Sequence, residues 1–312
     1  MPKHFKPFAV LYLSVTLQQV TCAQASGALK ESHQSALPFS VEQLATVTPR
    51  LSQKESELRA AITAQPNSAE LLYALALVLR QETRPKESLE IYTESARLRK
   101  PTADELRSVA LDYVLLDDFE DAIHWLELAS QMEPRNVDVL YALGRCYYSK
   151  GRFMDAGRIF QRVLTIAPQH LKAEENLGLT YAALNRTERA EEALTTAAGW
   201  ANESGSDEWP FFDLGGFLVD QGRMSEAIKP LRIAEHINPD NASCHEKLGR
   251  ALIGNHQNAE GVAELEQAIR LDPKDPKTHY ELGRALRQAG QTERAQQEFT
   301  LSQKLYSAHS QE

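Results

Sequence analysis

The sequence predicts an all-α fold built from antiparallel helix pairs, because one 34-residue pattern recurs along the chain. Residues 137–170 show it best: two segments with apolar residues at helical spacing are separated by Lys150-Gly151-Arg152, and the second ends near Pro168. One such pair is too small to bury its own apolar face. The recurrence therefore predicts a solenoid in which successive pairs stack on each other.

Three recurring features keep the copies in phase. A Leu-Gly pair recurs in the first helix of the repeat, at 143–144, 177–178, 214–215, 248–249 and 282–283. In the second helix a small residue recurs at Ala122, Ala156, Ala190, Ala227, Gly261 and Ala295, and a bulky residue follows four positions later at Leu126, Phe160, Leu194, Leu231, Leu265 and Phe299. The small residues allow helices to approach closely, and we expect the bulky ones to fill the space between units.

The alignment divides the chain into seven full units and flanking segments. The units are 69–102, 103–136, 137–170, 171–204, 208–241, 242–275 and 276–307. Residues 40–68 are predicted to form N-terminal capping helices or a degenerate repeat, in which Thr48 caps a helix with Pro49 at its first position. Residues 26–39 are expected to form a flexible linker, and 308–312 a short tail.

Two departures from the repeat carry structural predictions. Residues 205–207 are inserted between the fourth and fifth units, which predicts either a hinge or a harmless surface loop. Polar residues occupy the fourth position of the first helix at Glu174, His245 and His279. We expect the first turns of these three helices to pack loosely, because apolar residues are the usual occupants of buried positions.

These positions resemble the tetratricopeptide-repeat pattern W-x2-L-G-x2-Y…A-x3-F…P over residues 69–307. No unit has the tryptophan, and the first unit is the least typical, with Ala76 at the glycine position and Ser88 at the small-residue position. The resemblance implies a right-handed superhelical solenoid of antiparallel helix pairs, the tetratricopeptide-repeat (TPR) array. It also implies that the first helices line a concave groove that binds a protein or peptide.

Repeat positions two, five, six, nine, twelve and thirteen face this groove in the family. Carried over by position, the resemblance implies a ligand-binding set of Tyr73, Arg80, Tyr141, Arg145, Tyr148, Asn176, Trp209, Phe212, Lys247, Arg250, Tyr280, Arg284 and Arg287. The set is rich in tyrosine and arginine, which dominate binding hot spots. No run of successive units reproduces the lysine and asparagine clamp with which some relatives grip a carboxyl-terminal carboxylate.

Arg250, Arg284 and Arg287 are expected to form a basic stripe toward the carboxyl-terminal end of the groove. We expect this stripe to bind an extended acidic or carboxylate-bearing segment. The expected aromatic anchors are Trp209, Phe212 and Tyr280. The alternative is that the three arginines pair with acids of the next helix.

The amino-terminal segment and the overall charge indicate the cellular compartment and the class of partner. Lys3 and Lys6 precede an apolar run at 7–17 and a small-x-small site at 23–25, which predicts a signal peptide in residues 1–25 and a periplasmic or secreted protein. A mildly apolar tail on a cytoplasmic protein is the alternative. A formal charge of −9 argues against nucleic acid as the main partner, and no later segment is apolar and long enough to span a membrane.

The sequence contains no recognisable catalytic, cofactor or metal motif: it lacks a nucleophile elbow, a phosphate-binding glycine loop and paired histidines on a helix. The nine histidines are scattered singly, and His124, His170, His236 and His245 are expected on helix surfaces. The predicted function is therefore non-enzymatic protein or peptide binding by an exported scaffold. The alternative is a regulatory or substrate-binding subunit of an enzyme complex whose catalytic site is on another chain.

The last predicted helix has no following repeat to cover its apolar residues Phe299, Leu301 and Leu305. Repeat arrays usually end in a capping helix with a polar outer face. We therefore expect a partner to dock on this helix, or the chain to associate with itself end to end.

Overall fold

The computed structural model of the chain describes residues 41–201 and 205–309, which contain helices and no β-strand. The helices are α1 (Val41–Ala64), α2 (Ala69–Gln81), α3 (Pro85–Leu98), α4 (Ala103–Leu115), α5 (Phe119–Met132), α6 (Val137–Ser149), α7 (Phe153–Ile166), α8 (Leu171–Ala183), α9 (Thr187–Trp200), α10 (Trp209–Asp220), α11 (Met224–Ile237), α12 (Ala242–Gly254), α13 (Asn258–Leu271), α14 (Pro276–Gln288) and α15 (Thr292–His309). The predicted all-α class is confirmed. The predicted signal peptide and linker lie outside the described residues, as does most of the predicted tail.

Among the described helices, none combines the length and the apolar character that a membrane span requires. Their boundaries follow the predicted repeat: α2, α4, α6, α8, α12 and α14 begin at the first residue of a unit, and α10 begins one residue later. Capping interactions explain why several helices begin where they do. Ser68 accepts a hydrogen bond from the backbone of α2, and Thr102 with Glu105 forms a capping box on α4.

The helix before the first repeat differs from the predicted one. Helix α1 runs unbroken through Thr48 and Pro49, so the predicted cap at these residues is wrong. A proline removes one backbone hydrogen bond from a helix, and α1 nevertheless continues through Pro49 over its 24 residues.

A residue with positive φ lies in the turn between the two helices of every repeat. These residues are Thr83, Asp117, Gly151, Asn185, Gly222, His256 and Gly290. Glycine adopts this conformation readily, whereas other residues adopt it at a cost. Because several of the seven are not glycine, the packing of the helix pair imposes the turn.

The chain divides into two compact units, the first ending at Lys150 and the second beginning at Gly151. The first unit contains α1 to α6, and the second contains α7 to α15. Within each unit, a first helix packs on the second helix of its own repeat and on the first helix of the next repeat. In the described part of each unit, the backbones of successive second helices lie farther apart, and long side chains such as Arg232, which pairs with Glu260, connect them. The first helices therefore form the inner wall of each unit.

The contact between the glycine and the bulky residue is visible in the second unit. A Cβ atom added to Gly178 would lie 2.7 Å from Leu194 Cγ, and one added to Gly215 would lie 2.5 Å from Leu231 Cγ. Leu265 also packs with residues of the following repeat. The bulky residues thus fill space within the repeat as well as the predicted space between units, and any side chain at the glycine would push them away.

In the atypical first repeat, Tyr92 packs with Ala76 at the equivalent positions, and polar groups add a second contact between the two helices. Ser88 Oγ lies 2.8 Å from the carbonyl oxygen of Ala76 and 2.6 Å from Oδ2 of Asp112, which belongs to the next repeat. Ser88 and Asp112 are fully buried, and burial raises the pKa of Asp112 to about 7. A neutral Asp112 can donate a hydrogen bond to Ser88, while the Ser88 hydroxyl donates to Ala76.

The prediction of loosely packed first turns is wrong for His245 and His279, and His245 is not a surface residue. Both side chains are buried. His245 Nδ1 lies 2.7 Å from Oε2 of Glu264, and its Nε2 lies 2.9 Å from the carbonyl oxygen of Pro239. His279 makes the same two types of contact in the last repeat. A histidine can be buried when both ring nitrogens find partners, and these partners are distant in sequence.

The inserted residues 205–207 lie inside the second unit, away from the division between the units. Asp207 Oδ2 lies 2.9 Å from Lys172 Nζ, and the backbone N–H of Trp209 donates to Asp207 Oδ1 at 3.4 Å. The insertion therefore connects the start of α10 to α8. Of the two predicted roles, these contacts favour a fixed loop.

Candidate partner-binding groove

The predicted groove residues lie on inner-wall helices, but their exposure differs. The exposed residues are Arg145, Tyr280, Arg284 and Arg287, and the partly exposed ones are Arg80, Tyr141, Trp209, Lys247 and Arg250. The buried residues are Tyr73, Tyr148, Asn176 and Phe212. The structure therefore places the last four in the interior of the wall and not on its surface. Repeat position alone cannot distinguish the two placements, because exposure also depends on the neighbouring side chains.

In the first unit, Tyr73 is held against the second helix of its own repeat. Its ring centroid lies 5.6 Å from that of Tyr92, and the guanidinium of Arg99 lies 4.8 Å above its ring. Arg80 reaches the next inner helix, where Nη1 donates to the carbonyl oxygen of Ser108 at 3.4 Å. Both predicted groove residues thus help to hold the wall together.

In the second unit, two aromatic residues and a lysine form one cluster. Trp209 and Phe212 pack edge to face, with ring centroids 5.5 Å apart and an interplanar angle of 87°. Lys247 Nζ, from the next inner helix, lies 5.6 Å from the centroid of Phe212. Phe212 is buried, whereas Trp209 and Lys247 are partly exposed. Phe212 therefore packs against Trp209 and Lys247, whose partly exposed side chains form part of the surface of the inner wall.

Two buried acids lie in the same wall. Glu175 on α8 is 1% exposed and Asp213 on α10 is 5% exposed. Burial and the charge of Glu175 hold the pKa of Asp213 well above its usual range. Lys172 Nζ lies 3.1 Å from Glu175 Oε2, and the charge of Lys247 also acts on Asp213. The acid pair and the two lysines together connect three successive inner helices.

Two arginines of the predicted stripe pair with acids of their own helices. Arg250 Nη1 lies 3.5 Å from Glu246 Oε1, and Arg284 Nη1 lies 3.0 Å from Glu281 Oε2. The predicted alternative placed the acids on the next helix. The contact that does cross to the next helix joins Glu246 to Lys277, at 3.4 Å.

Arg287 and Tyr280 share an aromatic neighbour on the second helix of the last repeat. The guanidinium of Arg287 lies 5.3 Å from the centroid of Phe299, and the ring of Tyr280 lies 5.6 Å from the same ring. Tyr280 remains 50% exposed, and Arg287 is exposed. This end of the inner wall therefore combines exposed cationic and aromatic groups.

The sequence prediction missed four charged residues of this wall, Lys172, Glu175, Glu246 and Lys277. All four occupy repeat positions two or five of a first helix, so the rule that selected the groove residues also selects them. Together they add no net charge to the wall, because two are acids and two are lysines.

Comparisons with known proteins identify the repeat family. A family model described as anaphase-promoting complex, cyclosome, subunit 3 matches residues 116–197, and one described as tetratricopeptide repeat matches residues 264–297. The chain is a tetratricopeptide-repeat protein. The predicted family and the predicted solenoid of helix pairs are therefore confirmed.

Curated relatives of the TPR protein are longer than the region they share with it. Tetratricopeptide repeat protein 8 of Caenorhabditis elegans is 21% identical over 186 residues, which are 59% of this chain and 36% of that protein. BBSome complex member BBS4 of Xenopus tropicalis is 32% identical over 76 residues, which are 24% of this chain and 15% of that protein. The matched region thus spans little more than a third of these relatives at most.

Solved structures show the same fold at low sequence identity. The crystal structure of the APC/C hetero-tetramer Cut9-Hcn1 has a TM-score of 0.62 at 14% identity, over 87% of the TPR protein and 54% of that chain. A structure of pilF from Pseudomonas aeruginosa has a TM-score of 0.57 at 16% identity, over 66% of the TPR protein and 92% of that chain. At this identity the likeness establishes the fold alone.

Proposed function

We propose that this TPR protein is a non-enzymatic scaffold that binds an extended protein segment along the inner wall of its second unit. One observation carries the proposal. The inner helices α8, α10, α12 and α14 lie side by side, and they present partly or fully exposed aromatic and cationic side chains. Tyrosine, tryptophan and arginine are the residues that most often dominate binding energy. An extended segment can cross several inner helices and contact a side chain on each.

The proposed partner segment carries carboxylate groups opposite α14. Arg284 is 56% exposed, and its ion pair with Glu281 contributes little stability because water screens it. A partner carboxylate can therefore replace Glu281 at small cost and bind the guanidinium through two hydrogen bonds. Lys277 and Arg287 are exposed on the same helix, and Tyr280 supplies an aromatic surface beside them.

Peptide binding tests the groove directly. Purified protein is titrated with fluorescent acidic and basic peptides of equal length, and the variant R250A/R284A/R287A is compared with the wild type. We expect the triple variant to bind the acidic peptides at least about tenfold more weakly, because it loses several charge-assisted hydrogen bonds.

A matched control separates the groove from total charge. The variant R158A/R270A/R294A removes the same charge from exposed positions on second helices of the same unit. It should bind the acidic peptides like the wild type. Equal weakening by both triple variants, or no binding of any peptide by the wild type, would refute the proposed groove.

The proposal includes export of the protein, and the sequence of residues 1–25 supports it. Lys3 and Lys6, the apolar run at 7–17 and the small-x-small site at 23–25 have the order of a signal peptide. Cell fractionation of the native host with amino-terminal sequencing tests this. A mature protein that begins close to residue 26 outside the cytoplasm is expected, and a cytoplasmic protein that keeps residues 1–25 would overturn it.

The proposal also includes end-to-end association through α15. Leu301 is 38% exposed and Tyr306 is 61% exposed on this helix, and burying apolar surface between two copies would be favourable. Sedimentation analysis should show a dimer that dissociates in the variant L301E/Y306E. A wild type that sediments as a monomer at all concentrations would refute this contact.

A further inference from the structure

A cluster of three side chains with metal-ligating chemistry lies where the fifth and sixth repeats meet. Glu235 belongs to α11, His245 to α12 and Glu264 to α13. One ligand atom of each residue lies within 4.8 Å of those of the other two. The cluster is on the side of the second helices, so it is separate from the inner-wall residues of the proposed groove.

The orientation of His245 suits a metal ligand. Its Nε2 lies 2.9 Å from the carbonyl oxygen of Pro239, which can only accept a hydrogen bond, so Nε2 carries a proton. In a neutral imidazole the lone pair is then on Nδ1, which faces Glu264. Histidine ligands of metal ions typically donate their other ring N–H to a backbone carbonyl in this way.

The spacing of the groups is close to that of ligands around one ion. His245 Nδ1 lies 2.7 Å from Glu264 Oε2. Two ligands that each bind zinc at about 2.0 Å in tetrahedral geometry lie about 3.3 Å apart. To admit an ion, Glu264 would need to move by about 0.6 Å and the Glu235 carboxylate, which lies within 4.8 Å of the other two groups, by up to about 1.5 Å. The Glu235 and Glu264 side chains are 26% and 14% exposed, so an ion can enter from solvent.

The charges around the cluster also favour a cation. Glu235 and Glu264 share one arginine, Arg232, whose Nη1 lies 3.6 Å and 3.4 Å from them. The shortest contact of Arg232, at 2.7 Å, is with Glu260, outside the cluster. The charges of Glu208 and Lys247 also reach this region. Four carboxylates therefore face two permanent cations, and a divalent ion would balance the remaining charge.

The last repeat provides an internal control. His279 Nδ1 lies 2.7 Å from Glu298 Oε2, and its Nε2 lies 3.2 Å from the carbonyl oxygen of Pro273. At the repeat position of Glu235, however, the preceding sixth repeat has Ile269. The histidine–glutamate pair is thus a structural contact common to both repeats, and the second carboxylate is what distinguishes the cluster.

We propose that Glu235, His245 and Glu264 bind a divalent transition-metal ion, with water in the remaining coordination positions. Imidazole and carboxylate ligands suit zinc, which is the appropriate probe. Such an ion joins three helices from two repeats, so its binding stabilises the second unit as well as occupying a site.

Zinc titration of the purified, tag-free chain tests the site. We expect one saturable binding event in calorimetry and a rise in melting temperature with zinc. Glu235→Ile introduces the residue that the sixth repeat has at this position, Ile269, and keeps the histidine–glutamate pair; it should weaken zinc binding by about tenfold or more, the range seen when groups around a metal are altered. His245→Asn should abolish the event.

His279→Asn is the matched control, because it breaks the equivalent pair where no third ligand exists. It should lower the melting temperature without zinc and leave zinc affinity unchanged. Circular dichroism of each variant without zinc checks that the helices are formed. The proposal fails if the wild type does not bind zinc saturably, if Glu235→Ile binds as tightly as the wild type, or if His279→Asn is the variant that loses binding.

Discussion

The first and fifth repeats pack their helix pairs by partly different chemistry: Tyr92 and Leu231 hold the same bulky position, but the first repeat adds a buried polar contact through Ser88. In the fifth repeat, Gly215 leaves room for Leu231, which is fully buried against it. In the first repeat, Ala76 and Ser88 occupy the glycine and small-residue positions, and Ser88 joins the backbone of Ala76 to Asp112. The comparison teaches that the repeat requires close approach of two helices. A buried polar contact can meet this requirement when each group has a partner.

The largest effect is expected from removing the apolar contact. Leu231→Ala should lower the free energy of unfolding of the second unit by about 3 kcal/mol, because it leaves a cavity over Gly215. Urea unfolding followed by circular dichroism measures the loss, and hydrogen exchange should locate it in α10 and α11. A loss below about 1 kcal/mol would show that the glycine–leucine contact is not a main source of stability.

The polar contact should make the first unit sensitive to pH. The pKa of Asp112 is raised from 3.8 to about 7 in the fold, so the folded protein holds a proton that the unfolded chain releases between these values. The free energy of unfolding should therefore fall by about 2 kcal/mol from about pH 5 to about pH 7 through this group, and remain level at higher pH. The charged and polar groups that act on Asp112 are Arg80 and Ser88.

Asp112→Asn isolates this contribution from those of other groups. The amide cannot titrate and can still donate a hydrogen bond to Ser88. The free energy of unfolding of the wild type should fall relative to that of the variant as the pH rises from about 5 to about 7. A difference that does not depend on pH would mean that Asp112 is ionised in the folded protein.

A smaller effect is expected from Ser88→Ala, which introduces the residue typical of the family. It removes a partner of the buried Asp112 carboxyl and should cost about 1–2 kcal/mol. In the double variant S88A/D112A neither polar group remains, so the two costs should not add. Additive costs in a double-mutant cycle would show that the two side chains do not interact.

The smallest effect is expected from Ala76→Gly, which introduces the family's glycine into α2. The contact there is made by the backbone carbonyl of Ala76, which the substitution keeps. The cost should be about 0.5–1 kcal/mol, the usual penalty for glycine inside a helix. Thermal unfolding measures it, and a gain in stability would indicate that the Ala76 methyl group strains the packing.

The groove shows how far a repeat pattern can predict a site. The pattern identified the helices of the inner wall, because position in the repeat determines which face of a helix points inward. It did not reveal that Phe212 is buried beneath Trp209, or that burial and the charge of Glu175 raise the pKa of Asp213. Exposure and pKa depend on side chains from neighbouring helices, and the pattern treats each helix separately.

The sequence by itself determined the boundaries of the repeat helices to within a residue or two, the phase of the repeats and the points of close helix approach, such as Gly215. These features depend on residues close in the chain, through helical spacing, capping and the volume of single side chains. Only the tertiary structure decided that Ser88 meets Asp112, and that His245 lies between Glu264 and Pro239. A buried polar group is stable only beside a partner, and the partner's distance is known only when the helices are packed.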